Sequence, residues 1–108
     1  MRSTAVLTLV LSALSFAAAA DVPVYELVIK DHHFVPAELG IPAKTKIKLM
    51  VKNQDATPAE FESRELNREK IIPGGSQTVI FIGPLDAGSY PYFDEFHMET
   101  TTGKIIAK

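Results

Sequence analysis

The six residues Asp94-Glu95-Phe96-His97-Met98-Glu99 carry three carboxylates, one imidazole and one thioether. Carboxylate and imidazole together suit iron, manganese, zinc or copper(II), and a thioether adds affinity for copper(I). A metal site is the first expectation for this stretch. His97 sits in a polar run rather than on an apolar strand face, which favours a ligand over a structural core histidine. Asp94 either ligates or starts a turn, a place its short side chain also suits. Met98 either ligates or fills a gap in a core. Alternation lets only one or two of the neighbouring carboxylates face inward, and Glu95 is favoured over Glu99. The chain has no cysteine, which excludes thiolate ligation and thiol catalysis and leaves packing alone to hold the fold.

Two further groups carry ligand chemistry. Glu60 and Glu62 share one face of the extended segment Ala59-Glu60-Phe61-Glu62-Ser63, with Phe61 on the other. Glu60 is the stronger candidate, and the alternative is a pair of surface glutamates flanking a buried Phe61. His32-His33 forms a histidine pair in a turn, able to bind copper or zinc or simply exposed, and His33 is favoured over His32. Glu65 and Glu69 alternate with Arg64, Arg68 and Lys70 and read as a solvated charged face. Tyr90, Tyr92, Phe93 and Phe96 read as packing residues.

The elements that must position these groups are short strands. Residues 22–30 alternate and are rich in β-branched side chains; residues 46–52 place lysines on one face and Ile, Leu and Val on the other. Residues 39–42, 59–63 and 76–82, the aromatic run 88–93 and the final 104–107 complete the set. Asn53-Gln54-Asp55-Ala56-Thr57-Pro58, Pro73-Gly74-Gly75 and Gly83-Pro84 turn the chain between them. Residues 64–70 have no apolar stripe and form a helical turn at most. About seven short strands with no strong amphipathic helix predict one all-β sandwich domain.

Residues 1–20 read as an export signal: Arg2 supplies the positive start, residues 5–20 are apolar or small, and Ala18-Ala19-Ala20 suits cleavage. The run is too short and alanine-rich for a spanning helix, so the folded domain is expected over residues 21–108, not embedded in a membrane. Removing Arg2 leaves 10 of the 11 basic residues against 13 acidic ones, a net charge of −3. That charge argues against a nucleic-acid partner, which needs clustered Lys and Arg. No Ser-His-Asp set and no phosphate loop are present. A glycosidase pair of Glu60 and Asp94 would have little room for a sugar cleft.

Phe34-x-Pro36, Ile41-Pro42-Ala43, Asn53-x-Asp55, Pro73-Gly74, Gly88-x-Tyr90-x-Tyr92-x-Asp94-x-x-His97 and Gly103-x-Ile105 follow an order that resembles the cupredoxin superfamily. Ala59-Glu60-Phe61-Glu62 and the run from Arg64 to Gly74 look closest to the cupredoxin-like proteins of bacterial periplasmic iron-uptake systems. The resemblance implies a Greek-key β-sandwich with copper and/or iron among the loops at one end. It also implies a periplasmic setting, membrane iron-permease components as partners, and oxidation of Fe(II) before transport. Matched residue by residue, Asp94 stands at the thiolate position, Glu60 at the first histidine, His97 at the second and Thr102 at the axial methionine, with Met98 directly after His97. Glu60, Asp94 and His97 would then form a one-histidine, two-carboxylate set, completed by Glu95, Met98, Glu62 or Glu99. Without cysteine a blue-copper site cannot form. The alternatives are a copper or iron carrier without turnover and a metal-free interaction scaffold.

Overall fold

The computed structural model describes residues 21–108, so the export-signal reading of residues 1–20 lies outside the described residues. The strands are β1 (Val24–Lys30), β2 (His33–Val35), β3 (Glu38–Ile41), β4 (Ile47–Asn53), β5 (Ala59–Ser63), β6 (Arg68–Ile72), β7 (Gln77–Ile82), β8 (Gly88–Phe93) and β9 (Thr102–Ala107). One sheet has the order β2-β1-β4-β7 and the other β3-β9-β8-β5-β6. β1 pairs with β4, and β3 with β9, in parallel; the remaining pairs are antiparallel.

Alternation builds the core. Ile47, Leu49 and Val51 of β4 are fully buried while Lys48 and Lys52 stay partly in water. Leu27 and Ile29 lie beside them, and Phe61, Ile72, Tyr92 and Ile105 come from the facing sheet. Burying each such side chain contributes about 1.5–3 kcal/mol. In the core, Tyr92 stands edge-on to Phe34 at 4.8 Å and tilts against Phe61 at 4.7 Å between ring centroids. Gly103 leaves room for this: a Cβ there would meet the Tyr92 ring at 2.8 Å.

The structure differs from the sequence reading at residues 64–70. Four turn residues, 64–67, close a β5–β6 hairpin, and β6 follows as a strand. β6 ends its sheet, and all but its last residue are exposed. Such an edge has no buried face to impose alternation, and its charges discourage pairing with another chain. Leu66 is buried at the turn, where its N–H donates to the Ser63 hydroxyl at 3.2 Å.

Candidate metal centre

The β8–β9 connection is a closed, hydrogen-bonded loop. Asp94 donates its N–H to the Thr101 carbonyl at 2.9 Å, and its own carbonyl accepts from His97 N–H at 3.0 Å. Asp94 Oδ1 caps the 3-10 turn Glu95–His97 by accepting from Phe96 N–H at 2.9 Å. Asp94 is 1 % exposed, and its Oδ2 lies 3.5 Å from His97 Nδ1. Both of these atoms are buried without a hydrogen-bond partner, a situation native structures seldom leave unanswered. Asp94 thus starts the turn with one oxygen and faces the imidazole with the other.

The β1–β2 turn brings a second imidazole to this loop. Asp31 and His32 adopt φ of 50° and 58°, the left-handed region that L residues seldom occupy. Asp55 holds them there: its Oδ1 accepts from Asp31 N–H at 2.7 Å and its Oδ2 from His32 N–H at 3.0 Å. The bond from His32 N–H is the main reason the Asp55 carboxyl titrates below the usual range; burial opposes it, and the Asp31 bond adds to it. Asp55 is placed in turn by Asn53, whose Oδ1 accepts from Asp55 N–H at 3.0 Å while its amide donates to the carbonyls of Thr57, Ile72 and Pro73. Thr101 Oγ1 donates to the His32 carbonyl at 2.5 Å. The His32 ring stacks on His97 with centroids 3.9 Å apart and 28° between planes. His33 instead is exposed and pairs with Lys30 across β1 and β2. Met98 and Glu99, both exposed, line a cleft of about 450 Å³ with His32 and His97.

On the other side of the 3-10 turn lies a carboxylate cluster. Glu60, Glu62, Glu69 and Glu95 each offer an oxygen, all within 4.8 Å of one another. Among the described residues this is the one group of three or more His, Asp or Glu gathered so tightly. Glu69 arrives because it sits opposite Glu62 in the β5–β6 register. Glu60 is 2 % exposed, and its Oε1 accepts from Glu95 N–H at 3.1 Å. Burial pushes its carboxyl up to about 7; the Glu95 N–H opposes that rise and the neighbouring carboxylates add to it. The ligand set expected from sequence is therefore distributed over two places. Glu60 and Glu95 join Glu62 and Glu69, whereas Asp94 and His97 join His32, with Met98 at the rim. Glu69, His32 and Asp55 were not singled out by sequence reasoning as the partners they are. Asn53-x-Asp55 was the visible trace of the Asp55 anchor; nothing in the sequence marked the register that brings in Glu69.

The profile of the cupredoxin-like domain matches residues 3–107. The chain belongs to the cupredoxin-like family. An uncharacterised protein of Rickettsia prowazekii (strain Madrid E) is 44% identical over 81 residues, which are 75% of this chain and 65% of that protein. The chain thus spans about two thirds of the curated relative's length. Auracyanin A, a blue copper protein of Chloroflexus aurantiacus, is similar in structure, with a TM-score of 0.68 at 15% identity over 79% of this chain and 98% of that one. Amicyanin of Paracoccus versutus is similar with a TM-score of 0.62 at 21% identity, over 82% and 83% of the two chains. These likenesses show the fold, an all-β cupredoxin sandwich, and among the described residues no helix is long and apolar enough to cross a membrane. A blue-copper centre does not fit this cupredoxin-like chain, because its thiolate ligand has no cysteine to supply it. Copper bound without thiolate does fit: imidazole, carboxylate and thioether groups converge at one end, and two buried polar atoms there lack partners.

Proposed function

We propose that this cupredoxin-like chain is an exported, periplasmic protein that binds copper and iron ions for a ferrous-iron uptake system and assists Fe(II) oxidation before transport. The observation that carries the reading is the 3-10 turn Glu95–His97, which holds an imidazole at one end and a member of the glutamate cluster at the other. Clustered carboxylates are hard, electron-rich donors that favour iron, and ferric over ferrous iron; the imidazole and thioether of the adjacent cleft suit copper. Each Fe(II) oxidised releases one electron to an external acceptor, dioxygen or a redox component of the membrane permease system. The ferric product would be held by the carboxylates. Copper, when bound, would supply one-electron redox chemistry near the cluster, with His97 and its neighbours holding it. The permease and the periplasmic setting come to this reading from the resemblance of the 59–74 segment to the iron-uptake branch.

The test is aerobic Fe(II) loss measured with substoichiometric protein, beside metal titrations of the same preparations. Acceleration over buffer that falls at least several-fold in both Glu62→Gln/Glu69→Gln and His97→Ala supports oxidation. Stoichiometric binding of iron and copper without acceleration overturns the oxidase step and leaves a carrier. Failure to bind either ion overturns the whole reading.

A further inference from the structure

We propose that the outer face of the β2-β1-β4-β7 sheet docks this protein onto an anionic phospholipid bilayer, with lysine ammonium groups on the headgroup phosphates and apolar side chains between them. The inference goes beyond the metal-binding reading and does not depend on it. Leu27 and Ile29 of β1, Leu49 and Val51 of β4, and Ile80 and Ile82 of β7 point into the core, so the residues between them face out. The outward lysines are Lys30 of β1 and Lys48 and Lys52 of β4, with Lys46 just before β4. Glu26 is the one acid among the outward side chains of these strands, and it pairs with Lys52. Cations thus gather on one face of a chain whose net charge is negative. Exposed apolar side chains share that face: Val24, Val35, Val79 and Phe81 all stand on it, Phe81 at 45 % exposure. The two kinds of group interleave. Phe81 lies across from Lys48 in the register, Val24 lies on the far side of Lys48, and the Nζ atoms of Lys46 and Lys48 stand 4.9 and 5.7 Å from the Phe81 ring centroid.

The charge on this face calls for an anion from outside. Lys30, Lys46 and Lys48 make no ion pair among the described residues. The choice of lysine points to lipid over an acidic protein. Protein interfaces are enriched in Arg and depleted in Lys, and here every permanent cation on the face is a lysine. Arg68 of β6 reaches the edge of β7, but its guanidinium is committed to the carbonyls of Leu66, Asn67 and Phe81. Lysine stems lie along apolar surface while the ammonium group stays at a polar boundary. Lysines set among aromatic and aliphatic side chains are what binding in the plane of an anionic membrane interface uses. The glutamate cluster belongs to β5 and β6 of the other sheet and to the 3-10 turn, so docking by the lysine face keeps those carboxylates away from the like-charged bilayer.

The experiment mixes the full chain with vesicles of phosphatidylglycerol and phosphatidylcholine in equal parts, beside vesicles of phosphatidylcholine alone. Residues 1–20 are the same in every preparation, so partition is compared between variants. Lys46→Gln/Lys48→Gln should weaken partition into the anionic vesicles about tenfold while melting close to wild type. Lys104→Gln/Lys108→Gln removes the same charge from β9 and the residue after it, in the other sheet, and should change partition little. The chain has no tryptophan, so Phe81→Trp reports on this face alone. Its emission should move to the blue with anionic vesicles, return at high salt and stay unmoved with phosphatidylcholine. Equal losses in the two lysine pairs, or emission indifferent to anionic vesicles, would overturn the docking face. Binding of soluble polyglutamate through Lys46 and Lys48, with no blue shift on vesicles, would overturn the lipid and assign the face to an acidic protein.

Discussion

Glu60 is a carboxylate that folding removes from water, and it pays in acidity. Its carboxyl titrates at about 7 in the fold against 4.5 outside it, chiefly through burial. A raised acid binds its proton more tightly in the folded state. Its contribution to stability is therefore complete below pH 4.5 and is lost as pH rises through 7. In the metal-free protein this amounts to about 2–3 kcal/mol between those limits. Chemical denaturation at pH 5 and pH 8 should show wild type losing more stability over that interval than Glu60→Gln, and equal losses would remove Glu60 as the cause. Asp55 titrates in the opposite sense: its lowered carboxyl stabilises the fold above its ordinary range, and that help is lost only under more acidic conditions. The two windows do not overlap, so the comparison isolates Glu60.

At the scale of elements, the β8 strand, the 3-10 turn and β9 act as one support. Tyr92 packs against Phe34 and Phe61 two residues before Asp94, and Gly103 on the paired strand β9 lies directly across from it in the register. Gly103→Ala would drive a methyl group into that ring at 2.8 Å, an overpacking that typically costs about 1–3 kcal/mol. The expected outcome is a lower melting temperature with an altered near-ultraviolet tyrosine signal; a variant that melts with wild type would show that the ring yields freely. The alternating strands β1, β4, β7 and β9 were legible in the sequence because each buries one face. β6 was not: an exposed edge strand carries no burial signal, and its charges read as a solvated turn.

At the scale of the molecule, negative charge concentrates where the glutamates of β5, β6 and the 3-10 turn meet. Like charges so close repel one another and oppose folding. A cation bound there or in the histidine cleft acts only on the folded state, so saturation at a hundredfold over the dissociation constant should add about 2.7 kcal/mol. Thermal melts with copper(II), manganese(II) and iron should shift upward, and a melt indifferent to all of them would count against metal binding as a property of the whole fold.

Local chemistry lies along the chain, and so the sequence determined much by itself: an all-β sandwich built from alternating strands, no thiolate chemistry, and a loop at Asp94 to Met98 rich in ligand groups. Only the tertiary structure decided how those ligands are shared. Strand register put Glu69 opposite Glu62 and close to Glu60 and Glu95. A left-handed turn, pinned by a carboxylate more than twenty residues away, turned His32 rather than His33 onto His97. Register and turn handedness depend on contacts between distant segments, and the spacing of residues along one strand carries no record of them.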